Sequence, residues 1–287
     1  MKKLLFIGAL LCVLCSCGSG NGGAKKFDED VVKEDRTEYK KYVGLALEQE
    51  MYGDKDRAVK YYEAALELEK VYNGTEYAHW FNSDAAGKLD ELLTPPTTGT
   101  HKGHEWVDLG LSVKWATCNV GASTPGDYGN YYAWGETRTK SDYRDDNCSS
   151  YGKDWGDICA NSSRDAARAN WGGNWRMPTK AEFQELVDNC TWTWTTQDGH
   201  KGYRVTGENG QSIFLPAAGG RSGDMLDLDG EYGYFWSSSP DESDTDNACL
   251  LCFYEGLQGV IWSYRELGLS VRPVLEDQET DGSQFLY

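Results

Sequence analysis

The sequence predicts an α+β protein in two parts: a small all-helical region, then a larger domain of mostly antiparallel strands with two short helices. Three observations predict it. Composition changes near Thr94, and ten of the eleven Trp lie beyond that point. Ahead of Thr94, apolar residues recur at the period of a helix with one buried face. Beyond it, short apolar runs alternate with polar residues or stand between Gly, Asn and Asp turns, as strands do. An aromatic content of 13% argues for packed cores over disorder.

The chain opens MKKLLFIGALLCVLCSC. Lys2 and Lys3 make a positive start, and Leu4 to Leu14 is an apolar run too short to span a bilayer. "LCSC" (Leu14 to Cys17) resembles a bacterial lipobox. The resemblance implies a signal peptide over 1–16, cleavage before Cys17, acylation of that cysteine, and a tether over 17–35. Gly18, rather than Asp, follows Cys17. In Gram-negative lipoproteins that pattern points to the outer membrane, so the expected location is lipid-anchored there, at the cell surface. The net charge of −18 becomes −20 once Lys2 and Lys3 leave with the leader. So acidic a chain repels nucleic acid and anionic lipid, and no nucleic-acid partner is expected.

The helical region is expected over 36–93. In "KKYVGLALEQEMYGDKDRAVKYYEAALELEK" the apolar positions follow a helical period, and "GDKD" (Gly53 to Asp56) breaks the run into a helical hairpin. A third helix is expected from about Glu76 to Leu93. Tyr42, Leu45, Ala46, Gly53, Ala58, Tyr62 and Ala65 match the packing positions of a single tetratricopeptide repeat, which the hairpin resembles, although Lys70 stands where the repeat has Pro. One repeat cannot form a concave peptide groove, which favours a spacer over a docking module. "TPPTTGT" then reads as a stiff linker over 94–102, because Pro95 and Pro96 fix φ and donate no hydrogen bond.

The second domain is expected over 103–275, with an acidic tail over 276–287. Its first strand is expected over Leu111 to Ala116, and "TWTWTT" alternates with period two. "YRVTGENGQSIFLPAAG" reads as two strands turning at Glu208-Asn209-Gly210. "GYFWSSS", "ACLLCFYE" and "GVIWSY" are further strands, and "LSVRPVL" closes the domain. Two helices are expected, one around Arg164 to Ala169 and one after Pro178. The second carries Thr179 and Glu182 in the T-x-x-E pattern of a capping box, with Phe183, Leu186 and Val187 on one inward face. "GGNWRMPTKAEFQEL" (Gly172 to Leu186) therefore reads as framework: Glu182 is a cap before it is an acid.

"WVDLGLSVKWATCNVGA", "YYAWGET", "NWRMPTKAEFQELVDNCTW", "IFLPAAGGR", "YGYFWSSS" and "SVRPV" together resemble the Fibrobacter succinogenes major paralogous domain family across about Gly103 to Leu275. The resemblance implies a C-type-lectin-like fold. "RMPTKAEF" is also similar to a stretch of formylglycine-generating enzymes, which share that fold and use a pair of redox cysteines. The candidate pair here is Cys249 and Cys252. Residues three apart on a strand point to opposite faces, so one core thiol and one surface thiol are expected instead.

The mature chain holds six cysteines besides Cys17, at 118, 148, 159, 190, 249 and 252. Cys148 and Cys159 flank a Gly-rich loop and are the first candidates for a bridge. His101 and His104 are spaced H-x-x-H without a third ligand, and His79 and His200 stand apart, so no metal set emerges. The carboxylates of Asp224 to Glu231 and Pro240 to Asn247 follow no EF-hand pattern and read as solvated loops. No cofactor, metal or catalytic residue is expected.

The family's closing pattern implies that Ala248, Leu251, Phe253, Val260, Trp262, Arg265, Gly268 and Ser270 to Val274 are framework. Alternation then turns Leu250, Cys252 and Tyr254 to the opposite face. Ile261, Ser263, Tyr264, Glu266 and Leu267 interrupt the framework of the following element in the same way. These eight form the expected ligand-binding surface, unless a loop or the helical region covers Leu250 and Ile261. The expected function is non-enzymatic binding of an extracellular protein or glycan, as an adhesin-like lipoprotein. The alternatives are a structural or assembly subunit of an envelope complex and an oxidoreductase related to formylglycine-generating enzymes.

Overall fold

Asp28 starts the first helix, α1 (Glu29–Met51), by accepting a hydrogen bond from the Asp30 amide at 2.9 Å. The computed structural model describes residues 27–276. They divide between Pro95 and Pro96 into two units. Cys17, where acylation is expected, most of the expected tether and nearly all of the acidic tail lie outside the described residues. α1 begins inside the stretch expected as tether, because "EDVVKEDRTEYK" already holds Val32 and Tyr39 at helical spacing, and both are buried.

Gly53, with φ of 73°, turns the chain into α2 (Lys55–Tyr72), which Asp54 caps through the Arg57 amide. Ala46, Ala58 and Ala65 are fully buried, and their small side chains let the two helices approach closely. Three buried tyrosines then reach across the contact. Tyr39 donates to Glu69, Tyr62 to Glu50, and Tyr72 to Asp35 at 2.6 Å. Burial, reinforced by Glu69, pushes Tyr39 up to about 12. In place of the single third helix expected over 76–93, a 3-10 turn (Ala78–Trp80) precedes a short α3 (Ala85–Leu93). Ser83 sits between them and donates both its hydroxyl and its amide to Glu69.

The second unit is mixed α+β, with three mainly antiparallel sheets. The first runs β1 (Thr98–His101), β2 (His104–Val107), β3 (Lys114–Ala116), β13 (Val274–Leu275) and β4 (Trp175–Arg176). β1 occupies the second half of the expected linker, where Thr98 and Thr100 suit a strand and Gly99 lets the Trp106 ring lie against the backbone. β3 is shorter than the expected strand over 111–116. Its pairing with β13 joins the start and end of the unit.

β5 (Thr191–Gln197), β6 (His200–Thr206) and β7 (Ser212–Pro216) form the second sheet, with the β6–β7 turn at Gly210 as expected. β8 (Ala218–Ser222), β9 (Met225–Asp229), β10 (Tyr232–Pro240), β11 (Asn247–Tyr254) and β12 (Leu257–Tyr264) form the third, in the order β12-β11-β10-β8-β9. The expected helices are α4 (Ala166–Trp171) and α5 (Lys180–Asn189).

The stretch from Gly172 to Leu186 is framework, as expected. Thr179 accepts from the Glu182 amide at 3.2 Å and Glu182 from the Thr179 amide at 2.7 Å, closing the capping box. Arg176, nearly buried, then grips both oxygens of Glu182 at 2.8 and 2.5 Å and reaches Glu276 at 2.7 Å. Burial pushes the Glu182 carboxyl up, but Arg176 and the Thr179 amide outweigh it and leave it below the usual range.

Two further arginines lie in the interior, held mainly by carbonyls. Arg272 donates to the carbonyls of Ala116, Thr117 and Phe214 and to the Asn119 side chain, all within 3.0 Å, and so ties three sequence-distant segments together. Arg265 donates to the carbonyls of Asn247, Ser150 and Lys153 and stacks 4.2 Å from the Trp134 ring. Burial lowers the pKa of both. Guanidinium suits this use, since its donors satisfy several carbonyls in one plane.

Candidate ligand-binding face

Register assigns the two faces of the third sheet. In β10 and β11, Tyr232 pairs with Tyr254, Tyr234 with Cys252 and Trp236 with Leu250. In β11 and β12, Tyr254 pairs with Leu257, Cys252 with Gly259, Leu250 with Ile261 and Ala248 with Ser263. Directly paired residues share a face, so these side chains stand together. The alternate set, Phe235, Leu251, Phe253 and Val260, packs into the core with Trp115 and Phe183.

The first face changes character along its length. Toward one end, Leu250 and Trp236 are sealed by Trp134, Ile158, Leu269 and Val271 in a second core cluster. Toward the other end the cover thins: Tyr234 and Cys252 still touch the second cluster, while Tyr254, Leu257 and Ile261 are exposed. Tyr232 stacks on Tyr234 with centroids 5.8 Å apart and lies 5.1 Å from Tyr254. Cys252, Leu257 and Ile261 complete this half. Gly259 leaves a notch among them: a Cβ built there meets nothing within 4 Å. The contrast with Gly233 is steric. There a Cβ would come within 2.0 Å of the Phe253 ring, on the core side of the same sheet. Tyr203, whose hydroxyl donates to the Tyr254 carbonyl and accepts from the Gly256 amide at 2.8 Å, fixes the turn that ends the face.

The expected binding residues therefore divide. Cys252, Tyr254 and Ile261 come together on the open half, with Ser263 farther along the same face. Leu250 does not belong to the surface. It is 1% exposed, because the loops bearing Trp134 and Ile158 cover that end of the sheet. Tyr264 pairs with Asn247 on the opposite face, beside Trp262. Leu267 turns in against the second cluster, and Glu266 keeps one buried carboxylate oxygen without a hydrogen-bond partner. Trp262, expected as framework, is 51% exposed and lies 4.7 Å under the Lys180 ammonium. Tyr232, Tyr234, Leu257 and Gly259 join the site although the sequence reading missed them. The alternation of "EYGYFW" carried the signal: Tyr232 and Tyr234 flank a glycine that the core requires.

The cysteines do not form the arrangement of a redox centre. Cys249 is buried on the core side of β11 and Cys252 stands on the other face, as the three-residue spacing requires. Burial raises both thiols, Cys252 to about 11, so neither is a ready thiolate near neutral pH. Cys148 and Cys159, the expected bridge, are both free: the Cys148 thiol lies 3.4 Å from the Ser150 hydroxyl, and Asp157 caps the turn at Cys159. His101 accepts from the Asn174 amide, and His104 stacks on Trp171 with centroids 3.6 Å apart. Asp241 and Asp244 accept from amides of their own loop. Among the described residues no cluster of His, Cys, Asp and Glu is placed to hold a metal. No helix among them is long and apolar enough to cross a membrane.

Comparison with protein-family models, curated proteins and solved structures gives no match to this chain.

Proposed function

We propose that this chain is a surface lipoprotein that binds an extracellular protein or glycan, without chemistry, on the open half of its third sheet. The observation that carries the reading is the set of three adjacent tyrosines, Tyr232, Tyr234 and Tyr254, beside the Gly259 notch on a partly exposed sheet surface. Tyrosine offers a large rigid contact with a polar tip, which suits reversible recognition. The second unit is proposed to be a C-type-lectin-like domain of the Fibrobacter succinogenes major paralogous type. Pairing of its terminal strands, two short helices and curled antiparallel sheets support that assignment. Anchoring through Cys17 at the outer membrane completes the proposal. The opposed, protonated Cys249 and Cys252 weigh against the oxidoreductase alternative.

The test is a glycan and protein array probed with the full chain, followed by single substitutions against any ligand found. Tyr254→Ala should weaken binding by roughly 1–4 kcal/mol if it is a hot spot. Tyr264→Ala, on the opposite face, should leave it unchanged. The reverse result places the ligand elsewhere and ends this reading.

One observation favours the structural-subunit reading: Leu47, Met51 and Tyr52 are exposed together at the end of α1. Replacing Met51 and Tyr52 with Glu should then release an envelope partner in crosslinking, while the Tyr254 substitution does not.

A further inference from the structure

Resting on the ligand-binding reading, we infer that the occupant of the tyrosine face is a cationic protein segment, one that presents Arg or Lys side chains to the three rings. Two independent observations point there.

The first is the state of the rings. Elsewhere in the second unit, aromatic rings are capped by the chain's own cations. Lys114 lies over Trp106, Arg164 over Trp155, Lys180 over Trp262, Arg221 over Tyr131 and Arg265 over Trp134, each within 5.2 Å. Among the described residues no such cation is found over Tyr232, Tyr234 or Tyr254; Tyr232 touches both other rings, and Tyr234 also packs against the second cluster. The exposed parts of these rings, greatest at Tyr254, keep the negative quadrupole potential that attracts an ammonium or guanidinium group.

The second is charge. Between Arg221 and Arg265 the chain has nine Asp and Glu and no Lys, Arg or His, although it holds 28 Lys and Arg in all. β9 to β12 all fall in this interval. Its acids are not spread evenly about the face. Glu231 immediately precedes Tyr232, Glu255 immediately follows Tyr254, and these two tyrosines pair with each other. The two exposed carboxylates therefore flank the same end of the face. Asp227 pairs with Gly220, whose Cβ position lies 3.6 Å from the Tyr234 ring. An acidic rim around an aromatic, apolar floor complements a segment with cationic heads on aliphatic stems: the stem lies on Leu257 and Ile261, and the head meets ring and carboxylate. A neutral sugar would use the rings but not the rim, and a second copy of this acidic chain would be repelled by it.

The test uses the full chain and three probes: a short repeating Arg-Gly-Ser peptide, the same peptide with Glu for Arg, and a panel of neutral oligosaccharides. Binding is followed by calorimetry at physiological ionic strength, where exposed charges beyond a Debye length are screened. The Arg peptide should bind one to one and the Glu peptide not at all. Tyr232→Ala and Tyr254→Ala should each weaken it about tenfold, the scale of one desolvated cation–π contact. Glu231→Gln with Glu255→Gln, both exposed and outside the core, should weaken it several-fold and keeps the test decisive should a tyrosine variant unfold. Arg-peptide binding that ignores both sets of substitutions is attraction to net charge alone and overturns the inference. So does failure of the Arg peptide to bind. A neutral oligosaccharide bound on the same face, with no Arg-peptide binding, overturns the cationic occupant while leaving the ligand-binding reading intact; self-association lost in Tyr254→Ala overturns it in the same way. If array ligands and the Arg peptide all ignore the tyrosine substitutions, both readings fail together.

Discussion

Gly259→Thr should stabilise the second unit and block its ligand at the same time. Gly259 sits mid-strand in β12, at the edge of the third sheet, and a Cβ added there meets nothing within 4 Å. Glycine in a strand loses more conformational freedom on folding than any other residue, and costs roughly 0.5–1 kcal/mol relative to Ala. Threonine is a good strand former, so the gain should be about 0.5 kcal/mol at this edge position. For a unit of this size that raises the melting temperature by about 1–2 °C. The register then puts the new side chain opposite Cys252, between Leu257 and Ile261, where it fills the notch. Tryptophan fluorescence is the assay, since ten of the eleven Trp lie beyond Thr94 and report on this unit. Gly233→Ala is the control. Its Cβ would lie 2.0 Å from the Phe253 ring, and such overpacking costs about 1–3 kcal/mol, so the melting temperature should fall by several degrees. A fall with Gly259→Thr comparable to that of Gly233→Ala would mean that the notch is covered, and the proposed face would not exist.

Thr179→Ala should cost about 0.5–2 kcal/mol of second-unit stability, read by denaturant titration, and leave ligand affinity unchanged, because the capping box is framework. Glu182→Gln should cost about 2 kcal/mol at neutral pH, less than a fully stripped buried charge because Glu276 still pairs with Arg176. The folded Glu182 pKa is depressed, so its contribution is complete above the unfolded value of about 4.5 and is lost as pH falls through the folded value. The wild-type advantage over Glu182→Gln should therefore shrink on acidification; an advantage that grows below pH 4.5 contradicts the assignment. Cys17→Ser should abolish incorporation of labelled palmitate and release the protein from the membrane fraction; an unacylated wild-type protein rules out the anchor.

What the sequence made legible was local. The α5 cap was readable because its donors and acceptors lie three residues apart, and the β6–β7 turn because Asn209-Gly210 permits the required backbone. The opposed Cys249 and Cys252 followed from strand alternation alone. Alternation also separated Leu251 and Phe253 from Tyr254 correctly. It failed at Leu250, which has the right parity and the wrong cover: the loops bearing Trp134 and Ile158 come from about a hundred residues earlier in the chain, and no periodicity announces where they land. Tyr264 failed differently. The framework pattern was read across the end of β12, but pairing with Asn247 puts Tyr264 beside Trp262 on the other face. Pairing register is a non-local property, and only the sheet supplies it.

The division of labour within the third sheet explains why a binding face can coexist with a fixed fold. One end of β11 is buried on both faces, between the two core clusters, so side chains there are held by packing. Arg265, just after β12, reinforces that end by donating to the carbonyls of Asn247, Ser150 and Lys153. The other end is buried fully on one face and only partly on the other. Phe253, Phe235 and Tyr203 hold it from beneath through ring contacts of 5.4 to 5.8 Å. A side chain on the open face, such as Leu257 or Ile261, can then change without moving those rings, because paired strands are fixed by backbone hydrogen bonds and by the face below. Recognition can vary on such a surface at little cost in stability, whereas the same substitutions at Leu250 would open a cavity in the second cluster.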